Sequence, residues 1–169
     1  MPTDQKHKNQ RVAVFIDVQN MYHSARSLYG ARANFKELLN AAVAGRQLIR
    51  AFAYVVRTKT GEEKPFFEAL EKLGIETKIK DLQVFHSGTK KGDWDVGLAV
   101  DALKTAPRLD TVVIVSGDGD FVPLVEYLQT MTQVEVISFG KSTSSKLRET
   151  ADDFVDLGEN PKKYLMGAK

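Results

Sequence analysis

Two short runs stay apolar or β-branched until they meet a polar turn rich in aspartate, and they constrain the fold more than any other feature of the chain. The first is Val12-Ala-Val-Phe-Ile16, closed by Asp17. The second is Thr111-Val-Val-Ile-Val115, followed by Ser116-Gly-Asp-Gly-Asp-Phe121. Such residues in unbroken succession do not alternate between a wet and a dry side. Each run therefore reads as a strand buried on both faces, as inside a parallel sheet. Gly117 and Gly119 permit a tight turn with unusual dihedrals, and a helix-like stretch follows over 121–131. Ligands of open α/β sheets bind at the carboxyl ends of the strands. Negative charge placed at that edge implies a positively charged occupant.

Strands alternate with helices along the rest of the chain. A helix is expected over 21–28, broken at Tyr29-Gly30, and a second over 35–44, capped by Asn34 and ended by Gly45. A strand at 49–56 precedes a helix at 66–73 that Pro65 opens. Residues 75–85 contain a more polar strand suited to a sheet edge. A loop over 86–92 carries Lys90 and Lys91. The helix expected over 93–104 shows Val96, Val100 and Leu103 at i, i+4 and i+7 and stops before Pro107. After a strand at 134–139, Ser144 or Ser145 can cap a last helix running to about Leu157. Residues 1–10 read as a flexible polar tail, 11–157 as one domain and 158–169 as a basic C-terminal tail. The order predicts a single-domain α/β protein, a three-layer α/β/α arrangement around a mainly parallel five-stranded sheet. If the strand order is 3-2-1-4-5, strands one and four meet at the switch point. Asp17 and Asp118, distant in sequence, then converge, and Asn20, Asp95 and Asp120 can follow them.

A length of 169 residues suits one domain with a sizeable core. The net charge of +2 gives no global basic footprint. The chain has no cysteine, which excludes disulfides and thiolate metal sites. Its polar beginning lacks the apolar core of a signal peptide, and no apolar run approaches the roughly 18 residues of a membrane span. The expectation is a soluble, cytoplasmic protein with no membrane partner. G-x-x-x-x-G-K-[ST], G-x-G-x-x-G after the first strand and G-x-S-x-G are absent.

Carboxylates crowded at one edge raise one another's pKa unless a cation is present. Mg²⁺ or Mn²⁺ suits them, because both prefer oxygen ligands, and a bound metal activates water and stabilises charge at a phosphoryl centre. Asp17, Asp95 and Asp118 are the candidate metal ligands and catalytic acids, with Asp120 a fourth ligand. Each has a plainer reading alone: Asp17 or Asp120 as a helix cap, Asp95 as an acid favoured by the helix dipole. The constellation is more specific than its members. Asp101 lies about 120° around and roughly 9 Å along the helix from Asp95. It cannot clasp the same ion directly and stands behind the ligands or serves the structure. Asn20 and Ser116 could meet a phosphate or close their own turns. Lys90 and Lys91 could meet phosphates or be solvated. Trp94 could stack a base or pack. His7, His23 and His86 show no metal-ligand spacing.

Three motifs then bring a known family into view. Val14-Phe-Ile-Asp-Val-Gln-Asn20, Lys91-Gly-Asp-Trp-Asp-Val-Gly-Leu-Ala-Val-Asp-Ala-Leu103 and Ser116-Gly-Asp-Gly-Asp-Phe121 resemble, in order and spacing, the NYN domains, LabA-like members of the PIN-like nuclease superfamily. The segment 145–157 looks like that family's final helix. One departure is the pair Asp93-Trp94, where a single residue between glycine and aspartate is commoner. The resemblance implies a PIN-like sheet and a divalent-metal nuclease site. It sets the metal-binding acids on Asp17, Asp95 and Asp118, with Asp120 and Asp101 as accessory acids and Asn20 beside them.

The resulting expectation is metal-dependent hydrolysis of RNA, single-stranded by preference, with Lys90, Lys91, Lys141 or Lys146 steering the backbone. The family pattern implies 5′-phosphate and 3′-hydroxyl ends. A second reading is a catalytically weak nucleic-acid-binding or regulatory module on the same fold, and a homodimer is compatible with either. A small phosphatase is a third reading, but Asp17-Val18-Gln19 lacks the acid that one common phosphatase class carries two residues on.

Overall fold

The computed structural model describes residues 6–84, 87, 90, 91 and 93–167. In chain order the elements are β1 (Arg11–Asp17), α1 (Val18–Tyr29), β2 (Arg32–Ala33), α2 (Phe35–Val43), β3 (Gln47–Arg57), α3 (Lys64–Lys72), β4 (Glu76–Asp81), β5 (Gln83–Val84), β6 (Lys90–Lys91), α4 (Asp95–Thr105), β7 (Thr111–Val115), α5 (Val122–Leu128), β8 (Gln133–Ser138), α6 (Ser145–Thr150), β9 (Asp153–Asp156), α7 (Pro161–Tyr164) and β10 (Leu165–Met166). The main sheet runs β4-β3-β1-β7-β8-β9, and every pair in it is parallel. The predicted order 3-2-1-4-5 is present, with a sixth strand, β9, added beyond the fifth.

Both faces of the sheet are covered, which is why β1 and β7 read as unbroken apolar runs. Val12 to Ile16 and Val112 to Val115 are fully buried. Val14, Ile16, Val113 and Val115 pack towards α1, α2 and α3. Ala13, Phe15, Val112 and Ile114 pack towards α4, α5 and α6. Alternation along β1 puts Asp17 on the second face, with Ala13 and Phe15, where α4 lies.

Four expectations are corrected. The helix after Ser144 stops at Thr150, and 153–156 form β9. Its signature misleads because Leu147, Ala151 and Phe154 keep helical spacing. Asp152 overrides that spacing: its N–H donates to Val134 O (2.9 Å), and its Oδ2 accepts from Val134 N (2.8 Å), which starts a parallel ladder beside β8. The described part of the basic tail, 158–167, is docked through its middle. Tyr164 and Leu165 are buried, and β10 pairs antiparallel with β2. The α4 stripe is rotated: Val96 is 76% and Val100 46% exposed, while Leu98 and Ala102 are buried. Asp95, Leu98 and Ala102 sit at i, i+3 and i+7, so the face that turns Asp95 inwards also turns these two in and the valines out. Finally, part of the loop expected over 86–92 is strand: Lys90 and Lys91 pair with Gln83 and Val84. Phe85, His86, Gly88, Thr89 and Gly92 lie outside the described residues.

Candidate metal centre

Asp17 ends β1 and caps α1, where its Oδ1 accepts from Asn20 N (3.3 Å). Its Oδ2 accepts from Ser116 Oγ (2.9 Å), across from the neighbouring strand. Ser116 is fully buried, and its Oγ also accepts from Asp118 N (3.2 Å). This serine is thus enclosed between the two aspartates. Asn20 ties the same two turns together, since its Oδ1 accepts from Gly117 N (2.9 Å). It is not the helix cap; Asp17 is. Asp118 Oδ1 accepts from Asp120 N (2.9 Å), closing the turn after β7.

The glycines of this turn are required for space, not for dihedral freedom, because neither has a positive φ. A Cβ on Gly117 would lie 2.8 Å from Ser138 Oγ and 3.1 Å from the Thr143 backbone. One on Gly119 would lie 2.8 Å from Ser144 Oγ. The loop before α6 presses directly on the turn and fixes it.

Asp95 arrives on the first turn of α4, and Trp94 sets that turn. The Trp94 indole N–H donates to Val55 O (2.9 Å), its ring lies 5.4 Å from that of Tyr54, and Lys80 sits over it and donates to Asp93 O (2.9 Å). Gly97 makes room for the ring, because a Cβ there would lie 2.5 Å from it. Trp94 is therefore a packing residue that holds the start of α4 against β3.

One carboxylate oxygen from each of Asp17, Asp95 and Asp118 lies within 4.8 Å of the other two, and all three residues are half-buried. Among the described residues none of the three is paired with a lysine or arginine. The electrostatics register the crowding. Burial pushes the Asp17 carboxyl above its ordinary value, the bonds from Ser116 and Asn20 oppose this, and the charge of Asp118 adds to it. Asp95 is pushed up to about 6, first by burial and then by the charges of Asp118 and Asp17. Three oxygen donors with uncompensated charge match the preference of a hard divalent cation. The donor set fits such an ion.

Two other acids expected here, Asp120 and Asp101, lie outside the group of three. Asp120 is exposed and outside the group of three among the described residues, though its charge contributes to the rise of Asp95. Asp101 faces away. Its Oδ2 accepts from Tyr54 Oη (2.8 Å) and pairs with Lys78 Nζ (2.8 Å). Burial pushes Asp101 up, but Lys78 and Tyr54, then Lys104, hold it below the usual value. It is a structural acid. Lys90 and Lys91 are described in their backbone alone, and their side chains lie outside the described residues. Sequence reasoning missed Tyr54 and Lys78. The alternation of β3 and β4 could have placed them on one face, but nothing local pairs them with Asp101.

The class defined by fold and site is a parallel α/β sheet protein with acids from the ends of two central strands and from α4 gathered at one edge. The NYN domain model matches residues 11–158, and the chain belongs to the NYN domain family. It is 29% identical over 159 residues to the Low amplitude and bright protein LabA of Synechococcus elongatus, a match covering 88% of this chain and 84% of that one. An uncharacterised protein of Methanocaldococcus jannaschii is 28% identical over 155 residues, which cover 56% of its length. A crystal structure of a protein of unknown function from Vibrio parahaemolyticus superposes with a TM-score of 0.85 at 32% identity, over 94% of this chain and 98% of the other. No helix among the described residues is long and apolar enough to cross a membrane.

Proposed function

We propose that the chain is a metal-dependent ribonuclease that hydrolyses phosphodiester bonds of single-stranded RNA, with Asp17, Asp95 and Asp118 as the ligands of Mg²⁺ or Mn²⁺. The observation that carries this reading is the convergence of three carboxylates from three elements, within 4.8 Å, with no described cationic side chain paired to them. A divalent ion bound there supplies an activated water and neutralises charge at the phosphoryl centre. The chain's own contribution is positional. Ser116 and Asn20 hold the Asp17 carboxylate from two sides, and Asp120 N holds Asp118. The Trp94 anchor brings Asp95 to them. Asp95 retains a proton up to about pH 6 when no cation is bound and releases it when one is, so ion binding is favoured by rising pH. RNA as the substrate follows from the family resemblance.

Incubation of end-labelled single-stranded RNA with the full chain and Mn²⁺, with and without EDTA, tests the reading. Cleavage is expected with the ion, none with EDTA, and at least a hundredfold less with Asp118→Asn. RNA binding without metal-dependent turnover would make the chain a binding module instead. Cleavage unaffected by Asp118→Asn would remove the site.

A further inference from the structure

A basic groove lies beyond the acids, on the same face of the sheet. We infer that it holds the phosphate backbone of a single nucleic-acid strand, with Lys104 and Arg108 as phosphate contacts; this rests on the ribonuclease reading for what the strand is. The groove, of about 300 Å³, is lined by Arg50 and Phe52 of β3, Lys78 of β4, Asp101 and Lys104 of α4, and Arg108 just after it. It is open because β4 is the terminal strand and α3, the helix packed on it, covers the other face.

Four cations from the sheet and the helix region meet two acids there, Asp101 and Glu76, which leaves an excess of positive charge. Arg50 is paired with Glu76 (2.7 and 2.9 Å), and Lys78 with Asp101. Among the described residues Lys104 and Arg108 form no ion pair, and both are exposed. The helix dipole favours a cation at the end of α4 and by itself accounts for Lys104. It does not account for Arg50 and Lys78 facing the same space from the sheet. No aromatic face is free for a base: Phe52 is 2% exposed, with Arg50 4.5 Å and Lys78 5.2 Å from its centroid. The contact offered is thus to phosphate and carries no sequence information.

Register joins the groove to the acids. Asp17 pairs with Tyr54, and Tyr54 with Lys78, in one row across β1, β3 and β4. Along α4, Lys104 lies nine residues from Asp95, about 14 Å at 1.5 Å per residue. Lys104 also lies about half a turn around the helix from Asp95 at 100° per residue, so a strand held there passes along the side of α4 and not over its acid-bearing face.

Fluorescence anisotropy of a labelled 12-nucleotide RNA, and of DNA of the same sequence, tests this with the full chain in EDTA, where metal-dependent turnover cannot contribute. The double variant Lys104→Gln with Arg108→Gln is expected to bind both strands about tenfold more weakly at about 0.1 M salt. Its log–log salt slope is expected to flatten by about 1.4, or about 0.7 per lost phosphate contact. Lys36→Gln with Lys72→Gln, which removes equal charge from the opposite face, is expected to stay within about twofold of wild type. Wild-type affinity and slope in the groove variant would overturn the inference. So would an equal loss in the control, a loss confined to RNA, or a wild-type chain that binds neither strand. Failure of the nuclease reading shows separately, as absent cleavage with Mn²⁺.

Discussion

Asp95 is the residue at which the crowding of charge is most legible. Its pKa rises from the usual 3.8 to about 6 in the folded chain. Between those values the folded state holds a proton that the unfolded state has released. The stability from this group is therefore full below pH about 4, falls as pH rises to about 6, and stays low above that. The group is only half-buried, so solvent screening reduces the effect to about 1 kcal/mol. Asp95→Asn should accordingly raise Tm by about 2–4 °C at pH 7 in EDTA and leave it nearly unchanged at pH 4, as thermal unfolding at both pH values will read. An unchanged Tm at pH 7 would mean that neither burial nor the neighbouring acids disfavour the charged form of Asp95. Asp17 and Asp118 were readable in the sequence because each follows a run too apolar to be anything but a buried strand. The use of Ser116 and Asn20 was not. Which partner a short polar side chain chooses depends on which turns the fold brings within 3 Å, and local sequence does not carry that.

Among the elements, α4 decides whether there is a site. It contributes one of the three acids, yet its buried stripe of Leu98 and Ala102 is short. The indole bond from Trp94 to Val55 O and the ring packed on Tyr54 and Gly97 supply the missing anchorage. Trp94→Ala should destabilise the chain by about 2–3 kcal/mol, seen as a lower urea midpoint at unchanged m-value. It should also lower Mn²⁺ affinity, although Trp94 touches no ion; a wild-type midpoint would show that α4 docks without it. Strand order was legible, since alternating strands and helices with right-handed crossovers leave few topologies. The length of the last helix was not, because the spacing of Leu147, Ala151 and Phe154 suits a helix as well as a turn into a strand. Only the clamp of Asp152 on Val134 decides between them, and it is a tertiary contact. The orientation of α4 escaped for a related reason. Two apolar stripes compete on that helix, and the wetter one contains the valines.

At the scale of the whole molecule, the end of the sheet opposite the acids is closed by a buried ion pair. Arg46 and Glu135 are 5% and 2% exposed and joined by two bonds of 2.8 and 2.9 Å. Arg46 also donates to the carbonyl oxygens of Ala42 and Val43. The pair thereby ties the end of α2 to β8, the strand next to the β9 edge. Arg46→Leu leaves a carboxylate buried without its partner and should cost about 3–5 kcal/mol in chemical denaturation, whereas a loss under about 1 kcal/mol would mean that Glu135 finds water or another donor. Nothing in the sequence marks these two residues as partners, since charged side chains distant in sequence ordinarily stay solvated. The docked C-terminal segment was hidden in the same way: its lysines are conspicuous, and the buried Tyr164 and Leu165 between them are few.

Three carboxylates sharing one cation are the core of the proposed site, and calorimetric titration of Mn²⁺ into the full chain at pH 7 measures that directly. Asp17→Asn, Asp95→Asn and Asp118→Asn should each weaken binding at least tenfold, while Asp101→Asn and Asp120→Asn stay within about threefold of wild type. A wild-type chain that takes up no Mn²⁺, or affinities indifferent to the first three substitutions, would contradict it.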